Sequence, residues 1–135
     1  MICVISNLSF QDKFEITQII HSYSVHLDIE RVDVCTELFL EDGKLELRIG
    51  KAKGKSEIED LLTRILEFTR GKRHFITNTF VELTGDTAYA QSYLLVVDAL
   101  ESTDIKMTGV YHDTFVKSEN GWKIHTRKLV LDLNS

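Results

Sequence analysis

The sequence predicts an α+β fold in which helices come first and a meander of strands follows. Two observations carry this. In the first half, apolar residues recur at the three- and four-residue spacing of a helix face; after Gly71, four runs rich in Val, Ile, Thr, Tyr and Phe are divided by short turn sequences. Short connections between long strands make antiparallel neighbours, because parallel pairing needs a crossover of about a dozen residues or more. A long twisted sheet with helices on one face curls around them, and the resulting cone has an apolar interior suited to a small molecule.

The first helix is expected from Gln11 to about Leu27, with Ile16, Ile19, Ile20, Tyr23 and Leu27 on one face. A shorter helix from about Glu30 to Phe39 turns Val32, Cys35, Leu38 and Phe39 inward. Glu41-Asp42-Gly43-Lys44 reads as a turn, and the alternating Leu45-Glu46-Leu47-Arg48-Ile49 as a strand. The cluster Lys51-Ala52-Lys53-Gly54-Lys55 reads as a solvated loop. Ser56 and Glu59 form the capping-box pattern that opens a helix to Thr69, whose apolar face comprises Ile58, Leu61, Leu62, Ile65, Leu66 and Phe68. Arg70 and Gly71 suit its negative end and a left-handed cap. The four strands are expected at 73–83, 87–100, 105–117 and 122–133.

At 135 residues and 15.5 kDa, the chain is one domain, 1–135. A net charge of −5 argues against a protein that grips nucleic-acid phosphates or an anionic bilayer. No apolar stretch approaches the roughly 20 residues of a membrane-spanning helix, and the opening Met1–Ile5 lacks a signal peptide's basic flank and length. Cys3 and Cys35, far apart and without C-x-x-C spacing, read as reduced thiols of a cytoplasmic protein.

Of five histidines, His21 and His26 are separated by about 140° around their helix, and no pair has chelating spacing, so no metal site is expected. No G-x-S-x-G elbow, phosphate loop or dinucleotide turn occurs. His74 stands out in Arg73-His74-Phe75-Ile76-Thr77-Asn78, where alternation puts His74, Ile76 and Asn78 on one face. Asp28, just past the first helix, is a carboxylate where the helix dipole disfavours one. Orienting an imidazole would account for it; so would N-capping the following helix, with His74 a hydrogen-bonded core residue.

Tyr23 shares the inward helix face one turn earlier, either as a core tyrosine or with its hydroxyl in a cavity. In the third strand, Gly109, Tyr111, Asp113 and Phe115 share a face that pairs with the row of Trp122 and Ile124 and makes the better pocket wall. His112, His125 and Arg127 fall on the opposite face, which reads as solvated or as a subunit contact.

The order and spacing of these pieces resemble the SnoaL-like branch of the nuclear-transport-factor-two-like (NTF2-like) superfamily. The matching pieces are Leu27-Asp28, Leu38-Phe39-Leu40-Glu41-Asp42-Gly43, Gly54-Lys55-Ser56 and Arg73-His74-Phe75-Ile76-Thr77-Asn78. Gly85-Asp86-Thr87-Ala88, Gly109-Val110-Tyr111-His112-Asp113 and Gly121-Trp122-Lys123-Ile124 complete the set. The resemblance implies a cone-shaped barrel of helices in a curved, mostly antiparallel sheet, with a deep hydrophobic cavity and a homodimer formed through the outer sheet face. Members include scytalone dehydratase, polyketide cyclases and ketosteroid isomerase; Asp28 and His74 are similar to the aspartate and histidine that scytalone dehydratase uses. The strand Tyr89–Val97 carries no counterpart of that enzyme's second histidine, and Tyr93 is the residue available in its place.

The expected function is therefore cofactor-free lyase or isomerase chemistry on a small apolar hydroxy-carbonyl compound. His74 is the base, Asp28 its orienter, and Tyr23 or Tyr111 the donor to a developing enolate. Asn78, Tyr93, Asp113 and Phe115 are the expected substrate contacts. The alternatives are a ligand-binding module without chemistry and the small subunit of a ring-hydroxylating dioxygenase.

Overall fold

A computed structural model describes residues 2–133, with side chains from Ser9 onward. Helix α1 spans Ile2–Asp28, α2 Val32–Glu37 and α3 Lys55–Thr69. The strands are β1 (Phe39–Leu47), β2 (Gly50–Lys53), β3 (Lys72–Thr84), β4 (Thr87–Asp98), β5 (Ile105–Ser118) and β6 (Gly121–Leu131). They form one curved, open sheet in the order β2-β1-β6-β5-β4-β3. The four long strands pair antiparallel, and β1 joins β6 in parallel. The α+β arrangement of helices followed by a meander is as the sequence pattern implies.

The core lies between the concave sheet face and the helices. Ile16, Ile20, Tyr23 and Leu27 of α1 and Ile58, Leu61, Leu62 and Ile65 of α3 meet Leu94, Phe115 and Ile124 from the sheet. Each such side chain taken out of water stabilises the fold by about 1.5–3 kcal/mol. The first helix is tied to the start of the central strand β6 by Trp122, whose ring N–H donates to Asp12 (2.9 Å) and whose backbone N–H donates to Glu15 (2.7 Å). No described helix is long and apolar enough to cross a membrane. The reading of Cys3 as a thiol falls outside the described side chains; Cys35 is free and buried.

Several local expectations are corrected. The first helix begins at Ile2, well before Gln11, and α2 is only Val32–Glu37, because Phe39 opens a strand opposite Ile124. Glu41-Asp42-Gly43 is not a turn between elements: β1 runs through it, and its turn chemistry is taken up as a bulge between Phe39 and Lys44. Arg48 and Ile49 make the actual turn; of the lysine cluster, Lys51 and Lys53 lie on edge strand β2, where charged side chains discourage further pairing, and Lys55 opens α3. The Ser56–Glu59 box does not form. Gly54, at φ +85°, is the cap, and Glu57 reaches back to accept from the Lys53 N–H (3.0 Å). Phe68 lies outside the core, 62% exposed.

Gly109 is needed for close strand approach. A Cβ there would lie 2.8 Å from the Val130 carbonyl oxygen and within 3.2 Å of Leu129 and Leu131 side-chain atoms. The carbonyl belongs to the β5–β6 ladder and cannot yield cheaply. Gly109→Ala is expected to cost about 1–3 kcal/mol in urea unfolding at unchanged slope; a variant as stable as the parent would contradict this packing.

Candidate functional site

An apolar cavity of about 370 Å³ opens between the helices and the sheet. Tyr23 and Tyr111, 0% and 2% exposed, form its floor, while Ile49 and Phe68, 43% and 62% exposed, mark its rim. Leu27, Ile65, Leu94, Met107 and Leu129 supply most of the wall between them, and His74 is part of that wall.

His74 Nδ1 lies 2.6 Å from Asp28 Oδ1, and the His74 backbone N–H points at both carboxylate oxygens, 3.2 Å from each. The carboxylate at the last residue of α1 is thus held by the start of β3, which offsets its unfavourable place at the negative helix end. Both side chains are largely shielded, 6% exposed for His74 and 17% for Asp28. An ionised carboxylate only accepts, so Nδ1 must carry a proton; in the neutral ring Nε2 is then the bare lone pair.

Below the tyrosines lies the most highly charged part of the interior. Arg127 and Asp113 face each other across β5 and β6, and both are buried. The guanidinium donates through Nε to Oδ1 (2.8 Å) and through Nη2 to Oδ2 (3.1 Å). Its carbon sits 3.7 Å from the Tyr111 ring centroid and 4.2 Å from that of Tyr23, so the cation is flanked by two aromatic faces. Burial pushes the Asp113 carboxyl up and the guanidinium opposes that push. The two-pronged contact uses both oxygens as acceptors, as an ionised carboxylate does. Burial also raises both phenols, Tyr111 to about 12 and Tyr23 well above 10. Among the described residues, Tyr23 Oη and Arg127 Nη1 have no hydrogen-bond partner.

The structure thus brings Asp28, His74, Tyr23 and Tyr111 to one place and separates the other expected contacts from it. Asn78 sits at φ +51° in a bulge that shifts the β3–β4 register between Thr77 and Phe80, and it is exposed. Past that bulge, Thr79, Val81 and Leu83 take over the inward side. Tyr93 is on the outer sheet face, 46% exposed. Asp113 and Phe115 point inward as expected but are core residues that do not line the cavity.

Arg127 is the largest correction. An extra residue in β6 shifts the ladder between Thr114 and Phe115, so that Ile124 and Arg127 both face inward. The sequence carries a signal for it: the apolar spacing changes from even (Trp122, Ile124) to odd (Leu129, Leu131). His112 is half-buried on the outer face and hydrogen-bonded to the Tyr89 hydroxyl at 2.7 Å. Burial pushes the Cys35 thiol up to about 12, and it donates to the Tyr23 carbonyl, so it is a packing residue and not a nucleophile. No three described His, Cys, Asp or Glu residues are grouped to hold a metal ion.

Comparison with known proteins places the fold. The family model described as the SnoaL-like domain matches residues 9–128. A protein of unknown function with a cystatin-like fold from Nostoc punctiforme superposes with a TM-score of 0.87 at 30% identity, over 92% of this chain and 93% of its own. A nuclear-transport-factor-two-like protein with a cystatin-like fold from Novosphingobium aromaticivorans gives 0.86 at 26%, over 98% and 90%. From the same organism, a protein assigned as a scytalone dehydratase gives 0.81 at 25%, over 95% and 89%.

Two outcomes are expected from the buried charge cluster. Arg127→Met, which strands the Asp113 carboxylate, is expected to lower stability by about 3–5 kcal/mol, and adding Asp113→Leu to recover most of that loss. Because the folded-state pKa values of both phenols lie above the ordinary 10, the unfolded chain loses those protons first. Their contribution is therefore complete below pH 10 and falls as pH rises toward 12. Denaturation across that range should show the decline, shallower in Tyr111→Phe.

Proposed function

This chain belongs to the SnoaL-like domain family, and from that premise we propose that it performs cofactor-free acid–base chemistry of the lyase or isomerase type on a small hydroxy-carbonyl compound. The observation that carries the reading is the 2.6 Å contact between His74 Nδ1 and Asp28 at the wall of an otherwise apolar cavity. It fixes the tautomer in which Nε2 is the free base and supplies a negative charge to the imidazolium formed when that base takes a proton.

The substrate would lie along the cavity with a carbon acid next to His74. Nε2 removes the proton, and the electron pair moves onto the adjacent carbonyl oxygen. Tyr23 and Tyr111, with raised phenol pKa values, stay protonated and offer O–H donors to that oxygen. Arg127 touches both rings and holds them in place, with Asp113 compensating its charge. His74 then returns the proton to a neighbouring carbon in an isomerisation, or to a departing hydroxyl in a dehydration. The likeness to the protein assigned as a scytalone dehydratase supports this class of reaction.

The test is solvent deuterium exchange into 2-tetralone, followed by proton NMR. The wild-type protein is expected to accelerate exchange, and His74→Gln to lose on the order of 100- to 10,000-fold of that acceleration. Asp28→Asn is expected to lose a large part of it as well, because an amide can stabilise the wrong tautomer. Equal rates for wild type and His74→Gln, or a ¹⁵N spectrum placing the neutral-ring proton on Nε2, would overturn the assignment.

A further inference from the structure

We propose that the compound this cavity accepts ends in a carboxylate and that Arg48 selects it. The inference rests on reading the cavity as the substrate site and adds a polarity and an orientation to it.

Arg48 is the one permanently charged side chain among the residues lining the cavity. It lies in the turn between β1 and β2, flanked by Leu47 and Ile49, which also line the cavity. It is exposed, as is Ile49 beside it, so its guanidinium stands at the mouth where the cavity meets water. The stem lies along the apolar lining while the charged head keeps its water. Its value at a cavity rim is chemical: a planar fork of five N–H donors matches both oxygens of a carboxylate, and a contact on the protein side leaves donors for a ligand.

The surroundings agree. A Cβ at Gly50 would lie 3.3 Å from Arg64 Nη2, so a second guanidinium reaches the same hairpin from α3. The hairpin's own carboxylate, Glu46, is met by Lys51 and Lys128 at 3.5 Å each. A chain of net charge −5 thus gathers two arginines at this hairpin.

The gradient of exposure sets the orientation. A carboxylate at the rim keeps part of its hydration, whereas one pressed onto the buried tyrosine floor would lose nearly all of it. The charged end therefore stays beside Arg48 and the apolar body reaches toward Tyr23 and Tyr111, with His74 alongside the chain between them. The implied substrate class is a small apolar acid with a carbonyl remote from the carboxylate.

Calorimetry with 4-phenylbutyrate and 4-phenylbutan-1-ol tests this, since the two differ only in the terminal group. Wild type at low salt is expected to bind the acid about 2- to 5-fold more tightly than the alcohol. Arg48→Gln should abolish that preference while leaving alcohol affinity unchanged; Arg48→Lys should keep part of it, and His74→Gln all of it. Equal affinity of wild type for the two compounds, or an undiminished preference in Arg48→Gln, overturns the proposal. If neither compound binds, the cavity as a substrate site falls with it. Preserved acid selectivity without deuterium exchange would instead remove only the acid–base chemistry.

Discussion

The interior is organised around a charge that has to be accommodated. Arg127 is fully enclosed, and an arginine does not shed its proton to escape the cost of burial. Asp113 meets it from the adjacent strand, and the rings of Tyr23 and Tyr111 occupy positions against the guanidinium. Those demands fix the register of β5 against β6, the depth to which α1 sits in the sheet, and the two phenols that floor the cavity. An apolar replacement of the pair could be as stable but would not dictate which aromatic faces line the space above.

The second constraint is the contact between Asp28 and His74, which joins the end of α1 to the start of β3. It satisfies a carboxylate in a poor electrostatic position and holds an imidazole in one tautomer at the cavity wall. The two clusters border the same apolar space: one holds hydrogen-bond donors, the other a base. The wall between them is aliphatic, which keeps the local dielectric low and makes each polar group count for more than it would in water.

What could be read from the sequence follows from which signals are local. The helix face of α1, the β3–β6 meander and the α+β class depend on periodicity and turn residues, and they stand. The meeting of Asp28 with His74 was readable because Asp28 sat where helix electrostatics alone did not explain it. The errors share a cause: alternation was continued through bulges. One extra residue at Asn78 and another near His125 reverse the inward side, which moves Asn78 out and Arg127 in. Both reversals show as a change from even to odd apolar spacing, in Ile76 to Val81 and in Ile124 to Leu129. Arg48 had no such signal, since only the parallel docking of β1 brings its turn to the cavity.

That parallel junction also brings a distant part of the chain to the cavity. Phe39 and Ile124 are about 85 positions apart along the chain, whereas the β3–β6 hairpins close over a few residues. Long-range closure costs more entropy than these hairpins, and the same holds for the tie from Trp122 back to Asp12 and Glu15, so the hairpins are the cheap contacts and the dockings of β1 and α1 the expensive ones. Arg48 and Ile49, both exposed, make the side of the vestibule built from this arm its doorway to bulk water.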